Sequence, residues 1–429
     1  MKKMTAQEIN WTLYDVGNSA FILLVSTIIP IYFKNLAADA GLSLSDSTAY
    51  WGYALSISTL AVAVLGPVLG TLADTNGYKK PLFASFLLLG VLGCGALALK
   101  LDWLAFLAVF AAARIGFSGS LIFYDSMLND ITTDERMDNV SSQGYAWGYI
   151  GSCVPFMLSL GFILSAEKLG MTAAAATMIA FAVTAVWWLA FSVPLLRSYR
   201  QTCFVDVPDR PVARSFRRIA EAGRDMKRNR RILLFLLAFF FYIDGVYTII
   251  EMATVYGKDV GITDNAMLLA LLLTQVVAFP FALLFGRMSR RFEPGRLILL
   301  CIVGYFAISL FALQLDRAWE FWLLAVSVAV FQGAIQALSR SYYAKIIPKE
   351  KSSEYFGFFD IFGKGAALMG TTVMGLSTQL SGSSRTGVAV IALMFAVGFA
   401  LFRRADQPGM NRSEPPAALN GERAGDLES

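Results

Sequence analysis

The 429-residue chain contains no histidine. That removes the side chain whose ordinary pKa lies nearest neutrality, so any proton relay must run through Asp, Glu or water. Enzymes built on a His-Glu-x-x-His zinc pair or on a Ser/His or Cys/His couple are excluded with it. Cysteine is scarce. Cys94, Cys153, Cys203 and Cys301 are scattered, three of them inside apolar runs, and suggest neither a disulfide framework nor a metal site. A Gly-x-x-x-x-Gly-Lys-Ser/Thr loop is missing, so the chain does not itself hydrolyse ATP in P-loop fashion. Charge is low too, at 16% of residues against about 25% in soluble domains. No catalytic group, cofactor or metal is expected.

Hydrophobic residues are plentiful, at 56% with 33 Phe, and come in runs of about 18–25, enough to cross a hydrocarbon core of about 30 Å. The runs lack the period-two alternation of a β-barrel. They predict an all-α, polytopic membrane protein. The N-terminus carries Lys2 and Lys3 but no small-residue cleavage site after the first run, which is therefore read as a retained span. Twelve spans are expected, at residues 11–33, 51–73, 81–99, 103–128, 141–165, 171–196, 231–256, 264–288, 295–314, 319–343, 355–380 and 385–403. With the N-terminus in the cytoplasm, about 28 of the 36 Lys and Arg fall in the two tails and the even-to-odd loops. About six (Lys34, Lys100, Lys168, Lys258, Arg317 and Arg385) fall on the other side, and Arg114 and Lys364 lie inside spans. This asymmetry predicts cytoplasmic termini, in the cell membrane if the source is bacterial.

The long internal loop from Arg197 to Arg231 divides the chain six spans against six. The expected organisation is an N-terminal six-helix bundle at 1–196, a basic cytoplasmic linker at 197–230, a C-terminal bundle at 231–404 and a disordered polar tail at 405–429. Phe216, Ile219, Gly223 and Met226 share one helical face of the linker among arginines. Docking on anionic lipid and a plain solvated linker are both open readings, while nucleic acid is not an expected partner.

A short polar stretch, Gly70-Thr-Leu-Ala-Asp74-Thr-Asn-Gly77-Tyr-Lys79-Lys80, separates spans two and three, and its brevity predicts that they are antiparallel neighbours. A related stretch from Gly286 to Arg296 puts Arg290 where Asp74 stands and Glu293 where Gly77 stands, as in a duplicated architecture whose second copy has lost the acid at that position or reversed its sign. The first copy resembles the major facilitator superfamily signature G-x-L-A-D-x-x-G-x-(K/R)-(K/R), with Thr75 and Tyr78 at two positions where basic residues are common. Narrower motifs follow. Trp11-Thr-Leu-Tyr-Asp15-Val-Gly-Asn18-Ser-Ala20, Phe123-Tyr-Asp125-Ser-Met-Leu-Asn-Asp130-Ile, Asp244-Gly-Val with Thr248-Ile-Ile, and Gly333-Ala-Ile-Gln336-Ala-Leu-Ser-Arg340-Ser341 resemble the family of vacuolar amino-acid effluxers of autophagy and their bacterial relatives. The resemblance runs from Trp11 to about Arg403. It implies two six-helix bundles around a midplane cavity lined by spans one, four, seven and ten, and solute transport, with amino-acid efflux in fungal members.

Charges inside spans cost about 3 kcal/mol or more and mark cavities or partners. Asp15, with Asn18 beside it, and Asp244 lie in spans one and seven, which the resemblance makes corresponding cavity helices. Capping or a cytoplasmic gate is the open alternative for Asp15. Glu251 is two turns beyond Asp244 on nearly the same face and is either a proton partner or an outer-mouth residue. Arg114 is read as the one arginine well inside an apolar run. It fits a substrate carboxylate or a structural pair with Asp15 or Asp125, which lies three turns later on its face. Asp125 stands where the family pattern has Asn. Asp360 and Lys364, spaced i, i+4, are read first as a structural pair and second as a gating switch. Gln275, Gln332 and Gln336 are amides for a solute or for helix–helix bonding. Gly66 and Gly70, and Gly144, Gly148 and Gly151, permit close helix contact.

For Gly70, Asp74, Gly77, Lys79 and Lys80 the expected role is a cytoplasmic gate, with a plain tight turn around a solvated Asp74 as the alternative. The superfamily likeness implies that Asp74 caps span eleven, with Arg136 as a candidate partner. The expected function is a monomeric secondary carrier for a small polar solute, coupled to protons through Asp15, Asp244 or Glu251 and working by rocking of its halves. A uniporter, a sodium-coupled carrier, and a non-transporting sensor on a transporter scaffold are the alternatives.

Overall fold

Helix formation follows directly from the apolar runs, because a chain crossing lipid must satisfy every backbone N–H and C=O within itself. The computed structural model describes residues 3–206, 221, 223–259, 264–314, 317–381 and 384–407. Among these residues the secondary structure is helical, apart from one isolated bridge between Thr75 and Val205. Span one is Ala6–Ser26 with Ile28–Asp39, bent by 40° at Thr27, whose hydroxyl donates to the Leu23 carbonyl at 2.6 Å. Spans two to six are Leu44–Ala73, Lys79–Ala96, Trp103–Ser126, Asp134–Leu164 and Ala173–Ser198. Spans seven to twelve are Arg230–Asp259, Asp264–Met288, Pro294–Ala312, Ala318–Ile346, Ser352–Ser381 and Ser384–Ala405.

Ten of these helices are long and apolar enough to cross a membrane, and the bent pair of span one makes eleven. The helix Ser352–Ser381, called span eleven here, is not among those eleven and carries Glu354, Asp360 and Lys364. Several helices outrun the bilayer. Span five, at 31 residues, is about 46 Å long at 1.5 Å per residue. The starts are set locally. Thr5 and Glu8 form a capping box on span one, and Asp102 accepts from the Leu104 and Ala105 N–H groups at the head of span four.

The chain forms two six-helix bundles with both ends of the described chain on one face, called the terminal face below. Spans two and three are joined antiparallel as expected, but span two lays its main contact elsewhere, against span eleven. The cause is glycine. A Cβ on Gly357 of span eleven would stand 2.9 Å from the Gly66 carbonyl oxygen, and one on Gly70 would collide with the Ser353 carbonyl. Spans five and eight make the matching contact, where a Cβ on Gly286 would come within 2.6 Å of the Ser142 Cβ. The duplicated stretch thus packs alike in both halves. Only the first copy carries an acid at the Asp74 position; in the second, Arg290 stands there exposed, and Glu293 pairs with Arg296 on the surface.

The family motifs interlock. The Trp11 indole donates to the Tyr124 carbonyl at 3.0 Å and stacks on that ring at 4.5 Å, while the Tyr14 hydroxyl meets Ser120 at 2.7 Å. Gly144, Gly148 and Gly151 all face span one, at Asp15, Ser19 and Val16. Part of the linker, 207–220 with 222, and the tail from 408 lie outside the described residues. Of the amphipathic linker face, Met226 is buried and its neighbour Asp225 pairs with Lys351 at 3.6 Å.

Candidate functional site

Asp74 ends span two, and its side chain is fully buried. Its two carboxylate oxygens accept from the Ser353 and Glu354 N–H groups at 2.8 and 2.9 Å. These N–H groups open span eleven, where the helix leaves its first donors without internal partners and the dipole favours an anion. The expected cap is therefore present and joins the two bundles. Its cation differs from the expected one. Arg136 sits in the first turn of span five and pairs with Glu8 at 2.8 Å, because the capping box holds Glu8 there. Lys79 stands 4.0 Å from Asp74 and is bonded to Asp130 at 3.0 Å and to Ser352 at 3.1 Å. Lys80 is half-buried at the start of span three. Gly77 supplies the positive φ of +81° that turns the chain, and its N–H donates to Gln201.

Asp130 organises this corner. Besides Lys79 it accepts from the Tyr199 hydroxyl at 2.6 Å and from the Thr202 and Cys203 N–H groups at 2.9 and 2.7 Å. The segment after span six is thereby clasped over the turn, with the Val205 N–H donating to the Asp74 carbonyl at 2.8 Å. Burial, with the Asp130 charge next, pushes the Cys203 thiol above its ordinary value. Asp130→Asn removes the charge and loosens the clasp. Maleimide labelling of Cys203 in intact protein is expected to speed up, because losing the neighbouring negative charge favours the reactive thiolate. Cys94, Cys153 and Cys301 are buried and provide the unlabelled background.

A second junction lies deeper. Arg340 of span ten, 2% exposed, reaches across to the other bundle and contacts Asp15 at 3.4 Å and Asp125 at 3.0 Å. Its Nε donates to the Ser141 hydroxyl at 2.9 Å and an Nη to the Ser141 carbonyl at 3.0 Å. Three rings enclose the guanidinium: Tyr145 at 4.4 Å, Trp11 at 4.6 Å and Tyr124 at 5.6 Å. Planar guanidinium suits such a cage, stacking on rings while its edges hold carboxylates. Gly144 leaves the room, since a Cβ there would strike Asp15 and Arg340. In the sequence alone, Arg114 is the arginine open to pairing with Asp15 or Asp125, as the alternative to a substrate carboxylate. Arg340 was legible only as a letter of a motif, because one turn of Ser and Gln around it breaks the apolar run.

Around these two junctions further inter-bundle bonds gather at the terminal face, among them Lys345 with Asp138 at 2.6 Å, Lys349 with Asp134 at 2.7 Å, and Ser126 with Ser353 at 2.9 Å. That face is sealed.

The other expected residues fall into two groups. Asp360 and Lys364 form their ion pair at 2.6 Å and stay partly exposed, and Arg114 is half-buried within electrostatic reach of Lys364. Asn18 donates to Asp15 at 3.5 Å. Gln332, half-buried like Gln275 and Gln336, approaches the Tyr149 hydroxyl. Asp244, in contrast, turns into its own bundle. It is fully buried and accepts from the Gly370 N–H of span eleven at 2.9 Å and from Thr248 at 3.4 Å. It is therefore not the counterpart of Asp15 facing a shared cleft. Glu251 is carried by the same helix, and its side chain lies outside the described residues.

Residues 5–413 match the family described as "Vacuole effluxer Atg22 like". The chain is 42% identical to the "Uncharacterized MFS-type transporter YxiO" of Bacillus subtilis, over 94% of its own length and 95% of that protein. It is 23% identical to "Autophagy-related protein 22" of Coccidioides immitis, over 81% of this chain and 71% of that one. Among solved structures it resembles the major facilitator transporter FucP in the outward conformation, with TM-score 0.72, 14% identity and coverage of 94% and 98%. It also resembles the human organic anion transporter MFSD10, with TM-score 0.71, 13% identity and coverage of 93% and 100%.

Proposed function

We propose that this chain, which belongs to the Atg22-like vacuole effluxer family and is a multi-pass transporter of major facilitator fold, is a proton-coupled secondary carrier that exports a small polar solute of the amino-acid kind. Its bundles, 1–196 and 231–404, rock about the sealed terminal face, which lies in the cytoplasm, and the protein works as a monomer. The observation that carries this reading is Arg340 held by carboxylates of the opposite bundle. A buried ion pair adds little net stability, because desolvation offsets most of the attraction, and its best-attested use is to specify one arrangement over another. Placed across the interface between two mobile bundles, such a pair is a bolt. A proton on Asp15 or Asp125 weakens it, which ties opening to proton binding without any histidine.

The test is purified protein in liposomes under an imposed pH gradient, with a panel of radiolabelled amino acids. Gradient-driven movement that an uncoupler abolishes is the expected result. Movement insensitive to both pH and uncoupler removes the proton from the proposal, and sodium dependence would favour a sodium-coupled carrier.

A further inference from the structure

The midplane charges form a site that the gate does not use. Ser126 and Ser353 bond to each other, and Ser352 bonds to the Ser126 carbonyl, so the terminal-face ends of spans four and eleven are level. Arg114 lies twelve residues inward from Ser126 and Lys364 twelve inward from Ser352. At 1.5 Å per residue both sit about 18 Å deep, near mid-bilayer, one from each bundle. Asp360 is one turn nearer the sealed face, within electrostatic reach of Asp125, which in turn holds Arg340. The side chains of Asp125, Asp360 and Lys364 are 19%, 16% and 21% exposed. Charged groups facing one another across the bundle interface with this exposure line a watery cleft rather than lipid.

Signs are layered along that cleft. Cations, Arg114 and Lys364, come at the midplane. A carboxylate, Asp360, comes next, and then the Asp15–Arg340–Asp125 bolt. Within this set Arg114, Arg340 and Lys364 are matched in number by Asp15, Asp125 and Asp360. A solute with one unmatched charge would leave that charge uncompensated in a poorly hydrated place, whereas a zwitterion adds none.

We infer that Asp360 and Lys364 are an exchangeable pair and the polarity-setting part of the solute site. A solute carboxylate bridges Lys364 and Arg114 at the midplane, and its ammonium group takes Asp360 on the gate side. Each charge of the pair then trades one partner for another, and the ligand is selected as net-neutral and bipolar. The inference rests on the transport reading above and assigns to the pair a role beyond bracing span eleven.

Counterflow exchange in liposomes tests it with net-neutral L-alanine, L-leucine and L-glutamine against cationic L-lysine and anionic L-glutamate. The neutral set is expected to exchange at least about tenfold faster than the charged pair, and 3-methylbutylamine and 4-methylpentanoate, each with one of leucine's two charges, to compete at least about tenfold more weakly than leucine, one charge-assisted contact being lost each time. The swapped variant Asp360→Lys with Lys364→Asp keeps the ion pair, so a merely structural pair tolerates it. Exchange is expected to fall by at least about tenfold at an unchanged melting temperature. A swapped protein exchanging at the wild-type rate, or wild-type protein with which the single-charge analogues compete as well as leucine, overturns the inference while leaving transport intact. Wild-type protein that exchanges none of the amino acids overturns the transport reading as well.

Discussion

Arg340→Gln is expected to reduce transport to the level of protein-free liposomes. Removing one member of a buried ion pair costs about 3–5 kcal/mol, since the partner charges stay behind in low dielectric. Here two carboxylates stay behind, Asp15 and Asp125, with Asn18 bonded to Asp15 and the surrounding rings as their neighbours. The penalty applies to the sealed state, where the Asp15 side chain is 9% exposed and that of Asp125 19%. It is relieved when the terminal face opens. A bias of that size changes the ratio of sealed to open protein by a factor on the order of a hundred to several thousand, enough to strand the carrier. Adding Asp15→Asn and Asp125→Asn to Arg340→Gln removes the stranded charges. The triple variant is expected to recover thermal stability in a melting assay but not gradient-driven transport. Recovery of both would mean that the triad is structural only.

Asp74→Asn acts on the other junction and is expected to slow cycling while leaving solute affinity nearly unchanged. The carboxylate accepts two backbone N–H groups of span eleven. An amide can accept through its oxygen alone, and its NH2 then faces the second N–H group. Losing one charge-assisted bond costs about 1.5–3 kcal/mol, a population change of roughly ten- to a hundredfold toward the open terminal face. Stopped-flow uptake and equilibrium binding of the same labelled solute separate the two quantities. Arg136→Gln is the matched control, because its partner is Glu8 and not Asp74. An equal loss in both variants would place the effect in general folding of the N-terminal bundle.

The apolar runs showed the architecture in the sequence because lipid leaves a chain few alternatives to long helices. The latch was legible for a related reason. Gly70, Asp74 and Gly77 lie close together in one short stretch, and a helix-ending glycine before a lone acid in a short turn has few readings. Its partner in space was not legible, since Arg136 and Lys79 are both nearby basic residues and only the capping box at Glu8 decides between them. The bolt was hidden for a different reason. Arg340, Asp15 and Asp125 come from spans ten, one and four, and nothing in linear spacing brings an arginine to carboxylates more than two hundred residues away. Asp244 misled because spans one and seven correspond, yet a side chain's direction depends on where its helix is rotated. There Gly370 opened a place for it inside the second bundle. Asp360 and Lys364 paired as their spacing implied, because i, i+4 contacts are local.

The claim that the terminal face is a working gate is tested most directly by a distance measured across it. Asn76 and Glu350 are exposed on opposite bundles and can carry spin labels, as Asn76→Cys and Glu350→Cys in a chain whose own cysteines are replaced. Pulsed electron–electron distance measurements in lipid nanodiscs are predicted to show a dominant short distance and a minor long one. The long one should become the major population in Arg340→Gln and grow in Asp74→Asn. A single short distance in the parent and in both variants would contradict the account.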